Sequence, residues 1–307
     1  MDRLFRLRNE QWTRIEPLLP RATRTGGRNA KPHRRMVEGM LWVLRTGAPW
    51  RDLPRAYGPW QSVYTRWSRW SASGVLASLL EALARERDGE SYLIDATIVR
   101  AHQDASGARK KRGPQEIGHS RGGPSTKIHA IVDALGNPVR IELSPGQTHE
   151  MKLAPTILGD VRDANVIGDR AYDAKDLADQ LAAQGCTVVI PSNPTRASQR
   201  TYDKHLYRER SLVEHFFQRI KRSRRIAMRF EKLARNFLAF VQLAAVLVWL
   251  LSWPTARAAP PAPRGRIGRR HERRVRSTAT GCFRAATTAA CRRRRDPRVE
   301  DDESPRL

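Results

Sequence analysis

Three carboxylates stand where a carboxylate can do chemistry. Asp95 lies in the middle of an apolar, β-branched run, Tyr92 to Val99 (YLIDATIV), where burying an unpaired carboxylate costs roughly several kcal/mol. It needs a hydrogen bond, an ion pair or a metal ion in compensation. Asp169, in V-I-G-D-R-A-Y-D, follows the short apolar segment Val166–Ile167, and the end of a strand is a common place for ligands in α/β sheets. Glu214 belongs to a stripe. Tyr207, Arg210, Glu214 and Lys221 are separated by three, four and seven residues, so at about 100° per residue they share one face of a helix. Phe216, Phe217 and Ile220 take the adjacent apolar side. Such a stripe reads either as the lining of a cleft or as a surface row of ion pairs with Glu214 held by Arg210, and spacing alone does not choose.

The elements that must position these groups change character along the chain. Residues 9–80 read as several short helices: Trp12, Ile15 and Leu18/Leu19 recur at helical spacing, and Met36, Met40, Leu41 and Leu44 form a second apolar face. After W-R-D-L-P (Trp50 to Pro54), Trp60, Tyr64 and Trp67 share one helix face, with Arg66 and Arg69 on others. That helix suits an aromatic core with a basic outer side, a surface for docking on DNA, or both. From Ser91 the period becomes that of strands: residues 92–99, 126–132, 139–143, 166–167 and 188–190 are short and β-branched. The turn L-G-N-P (Leu135 to Pro138) makes the first three an antiparallel meander, and the helical stretch Lys175 to Gln184 makes the last two a β-α-β crossover. Helices are predicted over Tyr207–Lys221 and Leu233–Leu251. The result is an α/β fold with a mixed sheet.

Charge narrows the partner. Lys and Arg number 57 against 31 Asp and Glu, a formal charge of +26, which suits a polyanion because each neutralised phosphate releases condensed counterions. The segment Ala101 to Ser125 carries Arg109, Lys110, Lys111 and Arg112 among glycines and prolines; a flexible basic loop just after Asp95 is a candidate DNA contact. Residues 254–307 hold 15 Arg, no Lys and 6 acidic residues, a composition expected to be disordered, and one that a GC-rich gene also yields when translated past its usual end. Cys186, Cys282 and Cys291 form neither C-x-x-C pairs nor an even set, which argues against a disulfide framework. His102, His119 and His129 lack zinc spacing. The first thirty residues carry charges throughout and have no signal-peptide core. The apolar run Phe237 to Trp253 contains Gln242 and is short for a bilayer, so a buried helix, a cytoplasmic, nucleoid-associated protein and no membrane partner are expected.

The pattern Y-x2-R-x3-E-x6-K from Tyr207 to Lys221, followed by R-R-I-A-M-R-F-E-K-L-A-R-N-F (Arg224 to Phe237), resembles the signature of bacterial insertion-sequence transposases of the DDE type. The similarity is to the insertion-sequence five family of the four-like superfamily. L-I-D-A-T-I-V-R-A-H (Leu93 to His102), S-T-K-I-H-A-I-V-D-A-L-G-N-P (Ser125 to Pro138) and G-D-R-A-Y-D (Gly168 to Asp173) look like its other blocks, in the same order, and the resemblance spans roughly residues 9 to 252. It implies a helical DNA-binding region over 1–80, an RNase H-like catalytic domain over 90–252 with its mixed sheet flanked by helices, and a basic tail over 254–307. Asp95, Asp169 and Glu214 would be the catalytic residues and would hold two Mg²⁺ ions, with Mn²⁺ as a substitute, since carboxylates suit hard cations. Tyr207, Arg210 and Lys221 would contact the DNA backbone, with Lys127 and the basic loop as weaker candidates. Hydrolysis at the element's end would free a 3′-hydroxyl that then attacks target DNA. The partners implied are the terminal inverted repeats, target duplex and a second copy of the chain in a homodimer on DNA. A catalytically inactive DNA-binding remnant or repressor, and a structure-specific nuclease on the same fold, are the rival functions. One departure stands out: Ala171 replaces the Gly common in the block G-D-x-G-Y-D, which would be costly if that position needs a positive φ.

Overall fold

The structure is a computed structural model that describes residues 4–20, 33–107, 113–196 and 198–252. Four helices open the described chain: α1 (Asn9–Ile15), α2 (His33–Thr46), α3 (Trp60–Ser73) and α4 (Val75–Ala84). Strands β1 (Ser91–Ala101), β2 (Gly118–Ser120), β3 (Gly123–Asp133) and β4 (Pro138–Pro145) follow, then α5 (Ala154–Ile157), β5 (Asn165–Ile167), α6 (Lys175–Ala183) and β6 (Thr187–Val189). The last part comprises α7 (Lys204–Tyr207), α8 (Ser211–Lys221), α9 (Arg224–Ala227), the two-residue strand β7 (Met228–Arg229) and α10 (Ala234–Ser252).

The sheet runs β4-β3-β1-β5-β6, with β2 also on β3 and β7 on β1. The β1-β3-β4 pairs are antiparallel and the β1-β5-β6 pairs parallel. This is the predicted meander plus crossover. The meander closes on Asp133, whose carboxylate accepts the N–H groups of Leu135 and Asn137 while Gly136 takes a φ of 77°, a conformation glycine adopts without steric cost. β2 and β7 are additions to the expectation. Both are too short to show a period of their own, and β2 shortens the stretch that reads as a flexible loop.

Alternation along β1 feeds two cores. Leu93 and Val99 join Val213, Phe216, Phe217 and Ile220 of α8 on one face, and Tyr92 and Ile94 join Ile157, Leu177 and Leu181 on the other. The first core continues through α10 into the N-terminal helices: Trp67, 1% exposed, stacks on Phe240 at 4.0 Å between centroids, with Trp50 against both. The aromatic helix α3 therefore spends Trp67 and Trp70 on core, while Tyr64 stays exposed. Helix α10 is long and apolar enough to suit a bilayer, yet it packs against α3, α4, α8 and β4 and is the buried helix expected. Arg225 adds a polar tie between the same parts, bonding to Glu231 Oε1 at 2.6 Å and to the Gly47 carbonyl at 3.0 Å.

Candidate active site

Asp95 and Asp169 meet because of strand register. β1 and β5 run parallel with Leu93 beside Ile167, so two residues further along each chain the aspartates stand side by side, just where β5 has ended. Gly168 permits the approach: a Cβ there would sit 3.2 Å from Ile94 and 3.3 Å from the Tyr172 ring. Asp169 Oδ1 accepts the Ala171 N–H at 2.9 Å and so caps the short 3₁₀ turn Arg170–Tyr172. Ala171 lies inside that turn and has no positive φ. Alanine therefore fits this position without strain, and the cost anticipated for a positive φ does not arise.

A third carboxylate completes the cluster, and it is Glu150. One oxygen each from Asp95, Glu150 and Asp169 lie within 4.8 Å of one another. Burial pushes the Asp95 carboxyl up to about 6, and the charges of Asp169 and Glu150 push the same way; the Ala96 N–H, at 2.7 Å, and Arg210 oppose them. Like charges so close are tolerable when a cation joins them. The donors are all hard oxygens, so the residues fit a divalent cation such as Mg²⁺ or Mn²⁺.

Glu214 reaches this group through Arg210. The guanidinium binds Glu214 Oε1 directly and lies 3.8 Å from Asp95 Oδ2; among the described residues Glu214 is not one of the clustered carboxylates. The stripe is thus both of the things its spacing allowed, an i,i+4 ion pair and the wall of a site. A 3₁₀ turn, Arg208–Arg210, interrupts the expected single helix between α7 and α8 without separating the pair. Lys221 Nζ donates to Thr97 Oγ1 at 2.5 Å and to the Ile98 carbonyl at 3.2 Å, pinning β1 just beyond Asp95; burial lowers its pKa. Tyr207 is half-buried, edge-on to Tyr202.

Lys127 has a different setting from the one expected of a DNA contact. It is 8% exposed and donates to Glu150 Oε1 at 3.1 Å and to the Thr148 carbonyl at 2.9 Å, because a cation in a buried strand must find oxygen within the fold. Arg109, Lys110, Lys111 and Arg112 lie outside the described residues, as does the tail from 254 onward. Glu150 and Tyr172 are the site residues that sequence reading passed over. Tyr172 carried a signal, since it adjoins Asp169 in the same block; Glu150 sits in a turn after β4 with no periodicity to mark it.

A mixed sheet that gathers carboxylates at the end of a parallel pair, beside a helix with a mixed charged stripe, gives a site whose hard oxygen donors fit a divalent cation. The chain belongs to the transposase DDE domain family, whose model matches residues 86–249. Residues 7–80 match a second model, "Putative transposase of IS4/5 family". Among relatives, the "Putative transposase for insertion sequence element IS6501" of Brucella ovis is 44% identical over 128 residues, 41% of this chain and 98% of that one. The "Putative transposase for insertion sequence element IS402" of Burkholderia cepacia is 27% identical over 206 residues, 62% of this chain and 93% of that one. A piggyBac transposase chain from a synaptic complex with hairpin DNA has a TM-score of 0.48 at 9% identity, covering 78% of this chain and 70% of that one, a likeness that adds nothing to the sequence matches. This protein is a DDE transposase.

Proposed function

We propose that the chain binds the terminal inverted repeats of its insertion sequence, hydrolyses a strand at each end to free a 3′-hydroxyl, and joins that hydroxyl to target DNA. The observation that carries this reading is the register that sets Asp95 beside Asp169 at the foot of α8, whose Glu214 shares Arg210 with Asp95. Asp95, Asp169 and Glu214 would hold two Mg²⁺ ions, with Mn²⁺ able to substitute; such a pair supplies a more acidic attacking oxygen and a stabilised leaving oxygen.

The protein's own groups do the rest. Asp95, whose carboxylate lies beside that of Asp169, would be a ligand of the cation centre. Arg210 and Tyr207 take phosphate oxygens beside the reacting bond, Arg210 leaving its carboxylates as phosphate arrives, and these contacts position the strand without reading its sequence. Lys221 keeps β1 in place against α8 through Thr97 and Ile98. Arg109, Lys110, Lys111 and Arg112 add non-specific phosphate affinity. Because both ends of an element must be cut and joined together, the working unit is a homodimer on DNA, in the cytoplasm and on the nucleoid.

The test is cleavage and strand transfer on a duplex bearing the element's end, with Mg²⁺, comparing the chain with Glu214→Gln. Joined products from the parent, and none from a variant that binds DNA equally well, support the reading. Binding without cutting by both proteins would make the chain a DNA-binding remnant, and cutting without joining would make it a nuclease.

A further inference from the structure

We propose that Glu150 is a further ligand of the divalent-cation centre and that Lys127 is the positioning residue that holds it there. The proposal rests on the metal-dependent reading above and goes beyond its three carboxylates.

Lys127 stands on β3, opposite Ile98 of β1. A buried ammonium is costly unless its hydrogen-bonding partners are good, and both partners of Lys127 belong to one short turn: the Thr148 carbonyl and Glu150 Oε1. The lysine therefore ties that turn to the sheet at the level of the catalytic strand. What the tie delivers is a carboxylate, with an oxygen within 4.8 Å of oxygens of Asp95 and Asp169. Lys127 takes only Oε1 of Glu150, so the carboxylate keeps an acceptor for a second cation.

Tyr172 points to the same place independently. Its side chain is 1% exposed, yet among the described residues its hydroxyl has no hydrogen-bond partner, and leaving a buried hydroxyl unpaired is costly. Tyr172 closes the 3₁₀ turn that Asp169 caps, its N–H donating to the Asp169 carbonyl at 3.1 Å. A hydroxyl so placed is a donor for an oxygen that arrives with the ligand, such as a water carried by a hydrated Mg²⁺ or Mn²⁺. Arg210, itself paired with Glu214, approaches Asp95 of the same cluster from α8.

Mn²⁺ titration of the full-length chain without DNA, followed by the electron paramagnetic resonance signal of free Mn²⁺, tests the proposal. Glu150→Gln and Lys127→Met are each expected to weaken Mn²⁺ binding by about 10–100-fold. The double variant is expected to be no weaker than Glu150→Gln alone, because a residue that acts only through another adds nothing once that other is gone. Lys127→Met is also expected to leave the salt dependence of binding to a random-sequence duplex unchanged, whereas loss of a phosphate contact would lower the slope by about 1. Should either single variant fail to fold, the neutral double variant, in which no lone buried charge is left, carries the test against Asp95→Asn. If Asp95→Asn abolishes Mn²⁺ binding while Glu150→Gln leaves it intact, the proposal is overturned and the metal centre stands. If Asp95→Asn also leaves binding intact, the reading of the centre itself fails and takes the proposal with it.

Discussion

Two clusters of charge among the described residues, one buried and one half-buried, differ in sign. Around α9 and β7, Glu231 is matched by Arg225, and Arg229, fully buried, gives its guanidinium to the Glu231 and Glu116 carbonyls and to Thr126 Oγ1 while lying over the Phe237 ring. This cluster sets one carboxylate and several neutral oxygens against two guanidiniums and ties the sheet to α2 and α10. Around Asp95 the balance runs the other way: Asp95, Glu150, Asp169 and Glu214 face Lys127 and Arg210. A fold that only needed stability would not gather carboxylates so closely, since each one raises the cost of ionising the next. The excess negative charge fits a divalent cation.

That contrast predicts opposite responses to removing a charge. Arg225→Met leaves Glu231 buried without its partner and is expected to cost about 3–5 kcal/mol, read as a loss in denaturant midpoint. Asp95→Asn is expected to do the reverse without divalent cation, raising stability by about 1–2 kcal/mol as a carboxylate displaced to about 6 is neutralised, while cleavage falls on the order of 100-fold or more. If Asp95→Asn destabilises the metal-free protein instead, the two clusters are alike and the distinction collapses.

A titration sharpens it further. His129 is buried on β3, with Nε2 2.8 Å from Ser144 Oγ, and burial, aided by the Lys127 charge, lowers its pKa from 6.5 to about 4. Between those values the unfolded chain binds more protons than the folded one, so stability is full above pH 6.5 and falls as the pH drops toward 4. Denaturant midpoints across that range, with His129→Gln as the flatter control, check it; an equal slope in both proteins would exclude His129 as the source. The smallest effect belongs to the turn after Asp169. Because Ala171 has an ordinary φ, Ala171→Gly is expected to gain no activity and to lose about 0.5–1 kcal/mol through chain entropy, measured as a slightly lower melting temperature.

Much of this architecture was legible in the chain. Period-2 runs of β-branched residues placed the meander and the crossover, and the turn at Leu135 to Pro138 set the order of the first three strands. The pairing of Arg210 with Glu214 follows from helical spacing and survives the 3₁₀ turn that breaks the helix, because neither residue moves off the shared face. By itself the sequence determined that Asp95 needs a partner, that Asp169 ends a strand, and that the apolar run Phe237 to Trp253 reads as a buried helix, of which Leu251 proves exposed.

Only the tertiary structure decided who the partners are. Register brings Asp169 to Asp95 from 74 residues away along the chain. A loop of no periodicity brings Glu150 to both, and Lys127, a cation in a largely buried strand, turns inward to hold it. Local pattern reports which face of an element is apolar; it carries no record of which distant carboxylate a buried cation will meet, because that depends on how strands align across the sheet and where each one ends.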